Sequence, residues 1–242
     1  MAEEQYAALP SMAVEKKRQG YIALDIEATG NDFLQDACFA VGWAYGSCET
    51  DVVTGKVVLD LMRPPHVSWQ EYWDECSYEK RCYDEFWSKN LDALNDLQDP
   101  NKLTLYTSSK HMTLALNDAL IVAEGKFEKL TLVVNTVAFD TVWLSNLLAK
   151  EGLPGIGYKR NGTFNGGGIE VDSYKRGVYR VEPSSKDKPW DNDPIFNEKK
   201  WPIHDHDPEN DAHQILSVLF ASMDANKRIS CTCVELITNY GQ

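Results

Sequence analysis

Two carboxylates, Asp25 and Glu27, lie within the short apolar run Tyr21-Ile22-Ala23-Leu24-Asp25-Ile26-Glu27. Side chains alternate along a strand, so Ile22, Leu24 and Ile26 share one face while Tyr21, Ala23, Asp25 and Glu27 share the other. The run is apolar enough for a central strand, where paired carboxylates suffer desolvation and mutual repulsion unless something positive compensates. A bound cation would do so. The alternative is an edge strand whose acidic face is solvated.

Two further groups of polar residues follow. Asn135-Thr136-Val137-Ala138-Phe139-Asp140 leaves one predicted strand and enters a helix, which puts Asp140 at the carboxyl end of a strand, the rim where open α/β sheets hold ligands. An acid at that position also interacts favourably with the helix dipole, so Asp140 alone decides nothing. In His206-Asp207-Pro208-Glu209-Asn210-Asp211, Asp207 is the expected N-cap and Pro208 the first helical residue. His206 then lies just outside the helix and Asp211 about one turn in, within reach of the same space. A loop histidine and a solvated acid would give the same spelling. His204, His206 and His213 are an alternative set of zinc ligands, although Pro208 and Glu209 stand where an HxHxDH zinc hydrolase needs Asp and His.

The elements that must position these groups can be traced along the chain. Tyr21–Glu27, Cys38–Tyr45 and Val57–Met62 are strand-like runs with short connections, which predicts an antiparallel meander. From Trp69 to Leu97 the period is helical, with Cys82, Phe86, Leu91, Leu94 and Leu97 on the expected buried face, until Asp99-Pro100 stops it. A helix over about 109–124, a strand over Leu130–Val134 and a helix burying Phe139, Val142, Trp143, Leu147 and Leu148 follow. Residues 155 to 202 read as loops and hairpins, with Asn161-Gly162 as a tight turn and Gly166-Gly167-Gly168 free to take positive φ. A last long helix runs from Pro208 through Ile215, Leu216, Leu219 and Phe220. The expected class is α/β, a mixed sheet with helices on its faces. Residues 1–18 form a polar arm, and 19–242 a single domain.

In combination and order the three groups resemble the DEDDh 3′→5′ exonucleases, the family of proofreading exonucleases, ribonuclease T and oligoribonuclease. Asp25-Ile26-Glu27-Ala28-Thr29-Gly30 is similar to the first motif, DxExTG; Asn135 with Phe139-Asp140 is similar to the second, NxxxFD; and His206 with Asp211 fits the third, HxxxxD. The resemblance spans about residues 20 to 222. It departs at Ala28, where the family often has Thr, at Pro208 inside the third motif, and over about 155–202, which does not align.

The resemblance implies an RNase H-like fold and divalent-metal-dependent hydrolysis at single-stranded DNA or RNA 3′ ends, releasing nucleoside 5′-monophosphates. By the same resemblance, Asp25, Glu27, Asp140 and Asp211 would hold two Mg²⁺ or Mn²⁺ ions, suited to hard oxygen ligands. His206 would be the general base, and the backbone around Ala28 and Thr29 together with Asn135 would contact the terminal nucleotide. Other readings are a nuclease-fold binding module with weak or lost turnover, and a phosphohydrolase of small nucleotides. Neither DNA over RNA nor an oligomeric state follows from the residues.

Composition sets outer bounds. With 242 residues, 43% of them apolar and 25% charged, the chain is of ordinary globular type. It lacks a run of about 20 apolar residues for a membrane span and a basic-then-apolar leader, so an intracellular setting is expected. Six cysteines without a CxxC pair argue against a disulfide framework or zinc ribbon, and Cys231-Thr232-Cys233 reads as two residues on one face of a C-terminal element rather than as a soft-metal site. Trp69, Trp73, Trp87 and Trp143 read as core rather than as base-stacking groups. A net charge of −13 argues against holding polyanions by bulk electrostatics. Residues 158 to 188 differ: Lys159, Arg160, Lys175, Arg176, Arg180, Lys186 and Lys188 stand against Glu170, Asp172, Glu182 and Asp187. That segment is expected either to guide a phosphate backbone into the site or to be a solvated loop.

Overall fold

A computed structural model describes residues 17–156, 160, 164–182, 186, 188–197 and 204–240. Residues 1–16, Lys159, Asn161-Gly162 and the side chains of Cys231 and Cys233 lie outside the description.

Strands β1 (Lys17–Ala28), β2 (Cys38–Gly46) and β3 (Val53–Leu59) form the expected antiparallel meander. Helices α1 (Trp69–Glu75), α2 (Lys80–Glu85) and α3 (Leu91–Leu97) follow, then β4 (Leu105–Tyr106), α4 (Ser109–Lys126), β5 (Phe127–Val134) and α5 (Val137–Lys150). The chain continues through β6 (Phe164–Glu170), α6 (Val171–Val178), α7 (Pro194–Asn197) and α8 (Pro208–Tyr240). The sheet order is β4-β3-β2-β1-β5-β6, with β5 parallel to β1 and β6 parallel to β5. β1 is therefore central, and the edge-strand alternative for Asp25 and Glu27 falls.

The alternation read in β1 sorts its side chains as expected. Ile22, Leu24 and Ile26 are buried with Met112, Leu116 and Leu120 of α4 and Leu144 of α5. On the opposite face Ala23 packs with Ala212, Leu216 and Leu219 of α8. Asp25 and Glu27 share that second face. Ile215 and Phe220 are buried there too, and the Phe220 ring meets Tyr21 edge-on at 5.8 Å.

The region from Trp69 to Leu97 is three short helices rather than one. Ser68 caps α1 in a reciprocal box with Glu71, but Ser77 takes φ 57° between α1 and α2, and Phe86 leaves helical geometry after α2. The three pieces fold over Phe39 and Val58 at one flank of the sheet. Leu94 and Leu97 are buried and Cys82 and Phe86 partly so, whereas Leu91 is exposed; Val142 of α5 is likewise exposed. All four tryptophans named above are core.

The segment from 155 to 202 is corrected more substantially. It contains β6, which extends the sheet beside β5, and α6, whose Val171 and Tyr174 join the α8 face. Gly166-Gly167-Gly168 lies inside β6 rather than in a turn. Glycine weakens a strand's local signal, and here Phe164-Asn165 and Ile169-Glu170 pair with β5 on either side of the run, the register slipping across the glycines.

Candidate active site

Asp25 and Glu27 stand near the carboxyl end of β1, where the ladder to β2 slips between Glu27 and Ala28. A bulge re-aims side chains beside functional sites, and this one is pinned from outside: the Ala28 carbonyl accepts a hydrogen bond from Trp87 Nε1 at 3.0 Å. Thr29 is fully buried, and its Oγ1 accepts from the backbone N–H of Ala37 at 2.8 Å, closing the loop from β1 to β2. Its hydroxyl thus belongs to that loop, while Ala28 borders the cavity itself.

The parallel register of β1 and β5 pairs Ala23 with Val133, which carried two residues on brings Asn135 level with Asp25. Thr136 then caps α5, and its backbone N–H donates to Asp140 Oδ2 at 3.2 Å. Asp140 is buried, and burial raises its pKa to about 6 against the opposing pull of that hydrogen bond.

The start of α8 delivers the third group. Asp207 is the N-cap as expected: its Oδ1 accepts from the backbone N–H of Glu209 at 3.1 Å. Lys56 of β3 forms an ion pair with Asp207, and Thr54 Oγ1 donates to Glu209 Oε1 at 2.7 Å, so two side chains of the neighbouring strand tie down this turn. Beneath it lies Gly42, the partner of Asp25 across β1 and β2, where any Cβ would overlap the Pro208 carbonyl group. None of Gly42, Thr54 or Lys56 was singled out as functional in the sequence, because their role is a tertiary approach with no local signature.

These supports bring Asp25, Glu27 and Asp211 together, with a carboxylate oxygen from each lying within 4.8 Å of the others. His206 joins them, its Nδ1 4.0 Å from Glu27 Oε1. Its ring packs edge-on against Phe86 at 4.6 Å, and its backbone takes φ 60°, a conformation uncommon outside glycine that fixes the ring over the acids. Asp140, Asn135 and Ala28 border the same cavity, of about 270 Å³, but Asp140 stands outside the tight three-carboxylate group. His213 does not join the other histidines; His204, His206 and Asp211 form a second close set instead.

Electrostatically the cluster is under-compensated. Burial, then the Asp211 and Asp140 charges, push the Asp25 pKa well above the usual carboxylate range. Burial and the charge of Asp25 do the same for Glu27. The Asp211 pKa is also raised by burial, against the opposing pull of His204, and that of His206 is lowered by burial. Both carboxylate oxygens of Asp211 are buried without a hydrogen bond. His204 Nδ1 stands 2.8 Å from Oδ1, an ion-pair separation when the imidazole is protonated. Among the described residues no lysine or arginine pairs with Asp25, Glu27 or Asp211. Buried acceptors without donors, three converging carboxylates and an all-oxygen donor set suit a hard divalent cation.

The expected basic segment is divided by the fold. Arg160 is buried in an ion pair with Glu124 and also donates to the Pro154 carbonyl, at 2.7 Å, so it faces no substrate. Lys175 of α6 borders a groove between α6 and α8 that is also lined by Asp25, Asn135 and Asp211. Its ammonium pairs with Asp172 at 2.8 Å and lies over the Trp190 ring at 4.8 Å.

A mixed sheet with an antiparallel meander, parallel outer strands and helices on its faces, carrying acids at the end of its central strand, is an RNase H-like α/β fold. Among solved structures, ligand-free exonuclease I shares it at TM-score 0.51 and 11% identity, over 89% of this chain and 45% of that one. Exonuclease I in complex with the inhibitor BCBP matches at TM-score 0.50 and 10% identity, over 89% and 44%. The zinc-bound complex of E. coli exonuclease I with single-stranded DNA gives TM-score 0.47 and 11% identity, over 92% and 43%. The chain thus spans less than half the length of the solved structures it matches, and the likeness concerns the fold. No family model and no curated protein matches the sequence.

Proposed function

We propose that the protein is a divalent-metal-dependent 3′→5′ exonuclease that hydrolyses phosphodiesters at the ends of single-stranded DNA or RNA and releases nucleoside 5′-monophosphates. The observation that carries this reading is the convergence of Asp25, Glu27 and Asp211 on one point beneath His206, with both Asp211 oxygens buried and making no well-aligned hydrogen bond. The order of these residues in the chain, together with Asn135 and Asp140, supports it.

Asp25, Glu27 and Asp211 would hold one Mg²⁺ or Mn²⁺ ion, and Asp25 with Asp140 a second. Such ions, when bound, offset the charge that develops on the attacking and leaving oxygens of an in-line displacement. The protein's own part is positional. His206, held by Phe86 and depressed in pKa, is neutral near pH 7 and accepts the proton of the attacking water. Asn135 and the backbone at Ala28 orient the terminal nucleotide. In the adjoining groove Lys175 meets the phosphate backbone, where a local cation offsets the repulsion of a chain of net charge −13.

Matched labelled RNA and DNA oligomers, each with a free or a blocked 3′ end, test the reading in the presence of Mn²⁺. Stepwise shortening of free-ended oligomers only, with mononucleotide products, is expected. Equal turnover of a mononucleotide ester would favour a small-nucleotide phosphohydrolase, and binding without cleavage would favour a binding module.

A further inference from the structure

His204 takes no part in the chemistry described above, yet it stands at the mouth of the carboxylate cluster. Its Nδ1 is 2.8 Å from Asp211 Oδ1, and its ring lies 4.7 Å from that of His206. His204, His206 and Asp211 each place one donor atom within 4.8 Å of the others. Two imidazoles and a carboxylate are a donor set for borderline cations such as Zn²⁺, whereas Asp25, Glu27 and Asp211 offer only hard oxygens. The two sets share Asp211.

We propose that His204, His206 and Asp211 form a zinc-class site that overlaps the carboxylate cluster at Asp211 and silences it when filled. The Asp211 oxygens are buried and make no well-aligned hydrogen bond, and the nitrogen at 2.8 Å, His204 Nδ1, is itself a ligand of the site. His204, with 58% of its side chain exposed, gives the ion a path from solvent. Three protein ligands leave the fourth tetrahedral position for water. A filled site withdraws Asp211 from the carboxylate set and occupies an imidazole nitrogen of His206, so Mg²⁺ or Mn²⁺ binding and proton acceptance are both impaired. The silencing rests on the exonuclease reading; the zinc binding does not.

Calorimetric titration of the metal-free protein with ZnCl₂ and, separately, MnCl₂ tests this directly. Loss of an outer hydrogen-bond partner of a ligand already costs about 10–100-fold in metal affinity. Loss of a ligand should cost no less, so His204→Ala should weaken Zn²⁺ by at least about tenfold while leaving Mn²⁺ affinity and Mn²⁺-supported cleavage unchanged. His204→Gln should behave alike, and circular dichroism reports that both variants are folded. Asp25→Asn should show the converse, weak Mn²⁺ and retained Zn²⁺. Wild-type Zn²⁺ affinity in both His204 variants would overturn the site. Absence of cleavage with Mn²⁺ alone would overturn the exonuclease reading, while the calorimetry would still decide the zinc site.

Discussion

Gly42 lies against Pro208: the bare Cα of the β2 residue opposite Asp25 receives the carbonyl group that begins α8, and a methyl group there would overlap it. This contact fixes how far the helix bearing Asp211 and the turn bearing His206 stand from the acids of β1. Gly42→Ala must therefore lift the start of α8 against the anchors at Thr54 and Lys56. Overpacking of this kind costs about 1–3 kcal/mol. Denaturant melts should show that loss, and calorimetry a weaker Mn²⁺ affinity than wild type.

Asp25→Asn removes a buried charge that Asp140 and Asp211 oppose. The variant should lose cleavage of labelled oligonucleotides entirely, yet melt at a higher temperature than wild type when both are scanned in chelator. Cleavage at the wild-type rate by the folded variant would refute a role for these carboxylates in hydrolysis.

The raised carboxylates make the metal-free protein pH-sensitive in a defined direction. Unfolded carboxyls titrate near about 4, whereas the folded ones are raised, Asp140 to about 6. Between those values the folded chain binds more protons than the unfolded one, so stability falls as pH rises through that window. Chelated protein should accordingly need more urea to unfold at pH 5 than at pH 7. Saturating Mn²⁺, which favours the ionised carboxylates, should abolish or reverse the trend.

His206→Ala should retain Mn²⁺ binding and oligonucleotide affinity but lose roughly 10²–10⁴ in rate. Because burial lowers the imidazole pKa, the wild-type rate should climb on the acid side of the ordinary histidine range, and that limb should vanish in the variant. A variant that only binds more weakly would make His206 a positioning residue.

The two cations Lys175 and Arg160 should separate cleanly. Lys175→Ala should reduce the salt slope of single-strand binding by about 0.7, the value of one phosphate contact. Arg160→Met should leave that slope unchanged but, by removing one partner of a buried ion pair, destabilise the fold by about 3–5 kcal/mol.

What the sequence by itself determined is local in origin. Alternation in β1 separates Ile22, Leu24 and Ile26 from Asp25 and Glu27, and the Asp207-Pro208 cap starts α8, because one strand or one turn suffices to set both patterns. The spacing of His206 and Asp211 follows from that cap. The tertiary structure decided the rest. Gly42, Lys56, Phe86 and Trp87 build the site from elements distant in sequence, and no period marks a residue whose task is to be small or to reach across a sheet. Arg160 and Lys175 look alike in the chain, yet one is sealed against Glu124 and the other opens onto the groove beside Asp25. The glycine run lies within a strand for the same reason: Phe164-Asn165 before it and Ile169-Glu170 after it pair with distant β5, and no local signal of the glycines announces that.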